Sequence, residues 1–185
     1  TFNVLMAAVA ARCRRVIYAA SSSAYGDIAV SPKVETLRPE PKSPYAVHKL
    51  AGELYCRAFT ECFGLETFAI RYFNVFGPRQ DPLGSYAAVI PQWIHALLSG
   101  EICHIHGDGE TSRDFVAVAD VVQANLLAAT SPLSPPVQRV YNVGASRRTS
   151  LNQLHAMLAD GAARLRPRHA VQPPVHDDFR EGDIR

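Results

Sequence analysis

Apolar residues recur at helical spacing through Thr1-Phe2-Asn3-Val4-Leu5-Met6-Ala7-Ala8. They give way, past Arg12, Arg14 and Arg15, to the short unbroken run Val16-Ile17-Tyr18-Ala19-Ala20. A run of that length and content, Arg15 to Ala20, predicts a strand buried in a parallel sheet, and a serine-rich turn follows it. Residues 45 to 63 carry Leu50, Leu54, Phe59 and Phe63 at helical intervals and stop at Gly64, a residue suited to ending a helix. Glu66 to Tyr72 predicts a second strand. A loop holding Gly77, Pro78, Pro82 and Gly84 leads to a helix near 86 to 99, and Ile102 to Ile105 predicts a short strand before Gly107. A helix over 119 to 130, a strand over 139 to 143 and a helix over 150 to 160 complete the pattern. Strands alternating with helices imply crossover connections and a parallel sheet, so the fold class is α/β. In open sheets of this kind ligands sit outside the carboxyl ends of the strands. That directs attention to Ser21-Ser22-Ser23-Ala24-Tyr25-Gly26 and to Phe73-Asn74-Val75-Phe76-Gly77-Pro78-Arg79.

The 185 residues, 48% of them hydrophobic, are enough for a buried core, since a domain of about 150 residues hides roughly two-thirds of its unfolded surface. Nineteen basic and seventeen acidic side chains give a net charge of only +2 and are dispersed, which leaves no footprint for a nucleic-acid backbone. The opening segment is apolar but has no basic region before it and runs into arginines, so it is read neither as a signal peptide nor as a membrane span. It starts at helical spacing without an initiator methionine, and the expectation is that residues upstream have been lost. Cys13, Cys56, Cys62 and Cys103 form no CxxC pair and no regular framework; they are expected to be buried reduced thiols of a cytoplasmic protein. Proline-rich patches at 132 to 136 and 167 to 174 are expected to be loops, the second leading to a smaller C-terminal lobe.

Tyr45 and Lys49 lie four apart at the start of the helix that follows Ser43-Pro44, which places both side chains on one face. A phenol with an ordinary pKa of about 10 is a poor base at neutral pH, and a neighbouring ammonium favours the phenolate. The pair is therefore a candidate acid and base. His104-Ile105-His106 alternates on an expected strand with no acidic partner nearby, so no metal is assigned.

Five ordered motifs then carry a resemblance. They are Ser21-Ser22-Ser23-Ala24-Tyr25-Gly26, Ser43-Pro44-Tyr45-Ala46-Val47-His48-Lys49, Arg71-Tyr72-Phe73-Asn74-Val75-Phe76-Gly77-Pro78, Gly107-Asp108-Gly109-Glu110-Thr111-Ser112-Arg113-Asp114-Phe115 and Arg180-Glu181-Gly182-Asp183. Together they resemble the extended short-chain dehydrogenase/reductase family, and within it the NAD-dependent UDP-sugar 4-epimerases. The resemblance implies part of a Rossmann-like doubly wound parallel sheet with part of a smaller C-terminal substrate lobe. Residues 1–150 would belong to the NAD-binding domain, with substrate-lobe segments interleaved, and 151–185 to the substrate-binding lobe.

The resemblance also implies roles. Tyr45 would be the general base, Lys49 would hold the nicotinamide ribose, and Ser21 would hydrogen-bond the reacting oxygen, with Ser22 and Ser23 beside it on the substrate. Tyr72, Phe73 and Val75 would line the nicotinamide side together with Tyr45 and Lys49. Asn74 would meet the substrate diphosphate or sugar, Arg113 and Arg180 would clamp the diphosphate, and Asp183 would pair with the ribose or uridine. Sugar dehydratases of this family resemble Thr-Asp-Glu where this chain has the serine triplet, so Ser22 and Ser23 favour epimerisation at C4 through a transient 4-keto sugar. The segment with Gln80, Ala87 and Ala88 resembles the subgroup acting on UDP-N-acetylglucosamine and UDP-N-acetylgalactosamine in polysaccharide synthesis, the two alanines leaving room for an N-acetyl group. Members commonly form homodimers through the helices that correspond to residues 1 to 12 and 45 to 63. The family's glycine-rich GxxGxxG turn is absent from these residues, so the chain by itself is expected neither to hold NAD tightly nor to turn over, and to expose a sheet edge and apolar faces. A dehydratase or reductase of the same fold, or an inactive fragment, are the alternatives.

Overall fold

A computed structural model describes residues 1–84, 87–132, 139–167 and 171–179. In chain order the elements are α1 (Phe2–Ala10), β1 (Arg15–Ser21), a single 3-10 turn (Ser22–Tyr25), α2 (Pro44–Phe63), β2 (Glu66–Tyr72) and β3 (Asn74–Phe76). There follow α3 (Val89–Ser99), β4 (His104–His106), β5 (Ser112–Arg113), β6 (Phe115–Ala117), α4 (Val118–Thr130), β7 (Val140–Val143), β8 (Thr149–Ser150), α5 (Leu151–Leu165) and β9 (Val175–Asp177). The α/β class read from the sequence holds. Two compact units divide the chain: Thr1–Val75 with Val116–Ser146, and Phe76–Phe115 with Arg147–Arg185.

The first unit is built on a parallel sheet in the order β1-β2-β7. β2 is buried along almost its whole length, and its alternating side chains meet a helix on each face. Thr67 and Arg71 point to α2, where Thr67 Oγ1 donates to the Cys56 carbonyl at 2.9 Å and shares a 2.8 Å hydrogen bond with Thr60 Oγ1. Tyr72 points the other way and donates to Asn125 of α4 at 2.8 Å. The doubly wound character thus follows from a strand with partners on both sides. Arg15, at the start of β1, pairs with Glu66 at 2.8 Å and donates to the carbonyls of Ala128, Ala129 and Ser131, the orphan acceptors at the end of α4.

α2 forms where its signals stand. Ser43 accepts from the Ala46 N–H at 3.2 Å, Pro44 occupies the first turn, and Gly64 closes the helix with φ of 68°. Gly52 lets the helix approach β1, since a Cβ there would lie 2.1 Å from the Tyr18 ring. Leu5, Ala8, Cys56, Phe59 and Leu65 pack into a core between α1, α2 and the sheet. Leu54 and Phe63, read from spacing alone as part of the apolar stripe, are 59% and 54% exposed.

The second unit packs α3 and α5 around Ile90, Trp93, Leu97, Cys103, Ile105 and Leu154. β4 pairs with β9 in parallel and β5 with β8 antiparallel. Ser150 and Gln153 form a capping box that starts α5, and this helix runs five residues beyond the expected end because Ala162 continues the buried face. β4 starts two residues later and ends one residue later than the expected strand, centred on fully buried Ile105.

Two expectations need correction. Cys56 and Cys103 are buried, but Cys13 and Cys62 are exposed, one beyond the end of α1 and one on the outer face of α2. Burial, with the Glu53 charge second, pushes the Cys56 thiol up to about 11, so it stays protonated. The histidines of β4 do have an acidic partner: His104 Nδ1 lies 2.9 Å from Asp177, which β9 brings alongside from far down the chain. Among the described residues no helix is long and apolar enough to cross a membrane, and no group of three or more His, Cys, Asp or Glu is placed to hold a metal.

His155 of α5 is buried edge-on against Trp93, with ring centroids 5.8 Å apart. Burial, followed by the nearby His176, lowers its pKa from the ordinary 6.5. The unfolded chain therefore binds this proton more readily, so the contribution of neutral His155 is complete above 6.5 and is lost as pH falls through the lower folded value. Thermal unfolding should show a lower Tm at about pH 5 than at about pH 7.5, and His155→Leu should reduce that difference; an unchanged pH dependence would assign the loss to other groups.

Candidate active site

β1 and β2 run in phase, Arg15 opposite Glu66 through Ser21 opposite Tyr72, so the segments after both strands leave the sheet at one edge. The first of these is the 3-10 turn. Ser21 is its N-cap, and its Oγ accepts from the Ser23 N–H at 3.2 Å and from the Ser23 hydroxyl at 2.8 Å. Ser21 and Ser23 are thereby held as one unit, and Ser22 starts the turn beside them.

α2 brings Tyr45 and Lys49 to the same edge. The Lys49 ammonium donates to the carbonyl of Ala19, two residues before Ser21, at 2.9 Å. It lies 5.8 Å from the centre of the Tyr18 ring and 5.7 Å from that of Tyr45, distances at which the cation is attracted to each ring. Tyr45 is 58% exposed, leaving its phenol open to a ligand. An exposed phenol and an ammonium with donors to spare, at the carboxyl end of a parallel strand, suit the hydroxyls of a ribose and the proton of a reacting alcohol.

From β2, Tyr72 is fixed by its hydrogen bond to Asn125, and the Phe73 N–H donates to the Val143 carbonyl at 3.0 Å. Asn74 and Val75 follow in β3. Ser21, Ser22, Ser23, Tyr45, Lys49, Tyr72, Phe73, Asn74 and Val75 thus all belong to the first unit. Gln80, Ala87, Ala88 and Arg113 belong to the second. There Gln80 accepts from the Gly77 N–H at 3.2 Å, Ala88 is the N-cap of α3, and Arg113 sits in β5 opposite Thr149. Arg180 and Asp183 lie outside the described residues.

Beneath this edge lies a polar layer that no sequence motif marks. Arg71 and Glu53, both 4% exposed, form a bidentate pair at 2.9 and 2.7 Å. The guanidinium carbon lies 4.7 Å from the centre of the buried Tyr25 ring, and Tyr25 donates to Asn142 of β7 at 2.8 Å. Burial opposes the Arg71 charge, but bonding to Glu53 and Tyr25 outweighs it and raises the pKa. Two signals were present: Glu53 continues the four-residue interval of Tyr45 and Lys49, and Arg71 is a lone charge between Ile70 and Tyr72. A charge in a two-sided buried strand needs a partner, and removing one member of such a pair costs about 3–5 kcal/mol.

Residues 1–144 match the family model described as the NAD dependent epimerase/dehydratase family. The chain is 38% identical, over all 185 of its residues, to a UDP-glucose 4-epimerase of Mycolicibacterium smegmatis, of which it covers 58%. Among solved structures it is similar to a UDP-N-acetylglucosamine 4-epimerase from Methanobrevibacter ruminantium in complex with UDP-N-acetylmuramic acid. Identity is 39% and the TM-score 0.87, over 99% of this chain and 56% of that one. It is also similar to a UDP-glucose 4-epimerase from Thermotoga maritima with UDP-glucose, at 38% identity and a TM-score of 0.89, over 98% of this chain and 56% of that one. The chain therefore spans a little over half the length of these relatives.

The first turn of α2 holds Tyr45, and the Ser43 cap holds that turn. Ser43→Ala should lower stability by about 1 kcal/mol in urea unfolding, whereas Ser43→Asp, which keeps an acceptor, should stay close to the parent. Equal losses for both would mean the cap bond contributes nothing.

Proposed function

The chain belongs to the NAD dependent epimerase/dehydratase family, and on that premise we propose that the full-length protein interconverts the C4 epimers of a UDP-sugar. The observation that carries this reading is the exposed Tyr45 phenol beside the Lys49 ammonium at the edge where Ser21 ends β1. Their donors suit the nicotinamide end of NAD, which supplies, when bound, the acceptance of hydride from C4 and its return.

Tyr45 takes the proton of the C4 hydroxyl as the alcohol is oxidised and gives it back on reduction. Lys49 holds the ribose hydroxyls with its ammonium donors. Ser21, its hydroxyl oriented by the bonds with Ser23, donates to the oxygen at C4. Turning the keto sugar between the two steps exposes its other face, and that inverts the centre. Ser22 and Ser23 offer no acid or base of carboxylate strength, so nothing in the triplet assists removal of the C5 proton or departure of the 6-hydroxyl. This favours epimerisation over dehydration. Tyr72, Phe73 and Val75 line the nicotinamide side, and Asn74, Gln80, Arg113, Arg180 and Asp183 serve the nucleotide and sugar. Ala87 and Ala88 leave room for an N-acetyl group, which makes UDP-N-acetylglucosamine and UDP-N-acetylgalactosamine the proposed pair; one solved relative is named for the first of these sugars. Phe2, Tyr55 and Phe63, an exposed aromatic patch over Phe59, supply an apolar surface for a homodimer through α1 and α2.

Full-length protein with NAD and a panel of UDP-hexoses and UDP-N-acetylhexosamines should give the C4 epimer with no net change in mass, fastest for the N-acetylated pair. A product lighter by one water would overturn the reaction, and a preference for UDP-glucose would overturn only the sugar. Tyr45→Phe should retain fold and nucleotide-sugar binding and lower turnover by about two to four orders of magnitude, the share of a positioned general base. Turnover close to the parent would remove Tyr45 from the chemistry.

A further inference from the structure

We propose that Arg71 is a positioning residue for this reaction, its guanidinium tying the helix that carries Tyr45 and Lys49 to the turn that follows Ser21. The inference rests on the reading under "Proposed function" and adds the device that holds its three residues in register.

Arg71 extends from β2 toward α2, one rung before the Ser21–Tyr72 rung at which both strands end. Its Nε and Nη2 donate to the two oxygens of Glu53 at 2.9 and 2.7 Å. Glu53 is one four-residue interval beyond Lys49 and two beyond Tyr45, so the three lie along one stripe of α2. Two parallel bonds from a planar guanidinium fix both the rotation of that stripe about the helix axis and its advance along β2. On its other side the same cation lies 4.7 Å from the centre of the Tyr25 ring. Tyr25 closes the 3-10 turn that Ser21 caps, and its hydroxyl is anchored on Asn142. One buried cation therefore touches both elements that supply the proposed catalytic groups, without reaching the exposed edge itself.

A buried ion pair adds little net stability over a well-packed apolar pair of similar volume. What the pair adds is direction. Lysine keeps the charge but presents a single point donor in place of the fork, so Arg71→Lys leaves Glu53 partnered while releasing the rotation of α2. A displacement of about 1 Å between reacting groups can cost about a hundred-fold in rate.

The test uses full-length enzyme with NAD and the UDP-sugar it epimerises, comparing the parent, Arg71→Lys, the double variant Glu53→Met/Arg71→Met, and Tyr45→Phe. Arg71→Lys should lower kcat by about ten- to a hundred-fold with KM for the UDP-sugar within about two-fold, and with Tm within a few degrees of the parent. The double variant, which strands no charge, should show the same split of kcat from KM. If Arg71→Lys keeps kcat within about two-fold of the parent while Tyr45→Phe is disabled, the positioning role is overturned. A fall in kcat matched by an equal loss of folded protein overturns it as well, by making the pair merely structural. Should the double variant fail to fold, Arg71→Lys decides alone. A parent enzyme that binds NAD but epimerises no UDP-sugar would instead sink the underlying reading, and this proposal with it.

Discussion

The in-phase parallel pairing of β1 with β2 is the constraint on which the rest of the first unit depends. Seven consecutive rungs, from Arg15 opposite Glu66 to Ser21 opposite Tyr72, bring both strands to an end at the same height. A slip of one residue would turn every side chain of β2 to the wrong face, sending Thr67 and Arg71 toward α4 and Phe68 and Ile70 toward α2. With the register fixed, the connecting helix has little freedom. Gly52 sets how near α2 comes to Tyr18, the Thr60, Thr67 and Cys56 hydrogen bonds seam its second half to β2, and Lys49 closes its first half onto the Ala19 carbonyl. These contacts together bring the serine turn, the phenol and the ammonium to one edge.

Much of this was legible in the sequence because the signals are local. β2 spans the expected Glu66 to Tyr72, and α2 starts at Ser43-Pro44 and stops at Gly64 as its cap residues imply. The spacing of Tyr45 and Lys49 put them on one face before any tertiary contact was known. What escaped depended on residues far apart in the chain. β5, β8 and β9 are two or three residues long and exist only because a distant partner pairs with them, which no window of sequence displays. The apolar stripe of α2 is narrower than its periodicity for the same reason. Periodicity marks Leu54 and Phe59 alike, yet only Phe59 finds Leu5, Ala8 and Leu65 across from it.

The buried polar groups were the hardest to read and the most informative once seen. Arg15, Thr67 and Arg71 each interrupt or border an apolar run, and composition offers no hint of what they face. Each proves to be a fastener between elements: Arg15 for the end of α4, Thr67 for the middle of α2, Arg71 for Glu53 and Tyr25. Burial without such partners would cost more than any of these contacts contributes, so their identity and their geometry were settled together.

The chain passes from one compact unit to the other at residues 75–76, 115–116 and 146–147, and this has a consequence for synthesis on the ribosome. β2 is made before β7, which covers its free edge and lies some seventy residues later, after all of 76–115. At about 5–20 residues per second this leaves the edge of β2 bare for several seconds as the chain emerges. During that interval an apolar strand with one open row of backbone donors and acceptors is a template for any passing strand. Docking of α2 on the face of β2 leaves that row open, so it closes only when β7 arrives.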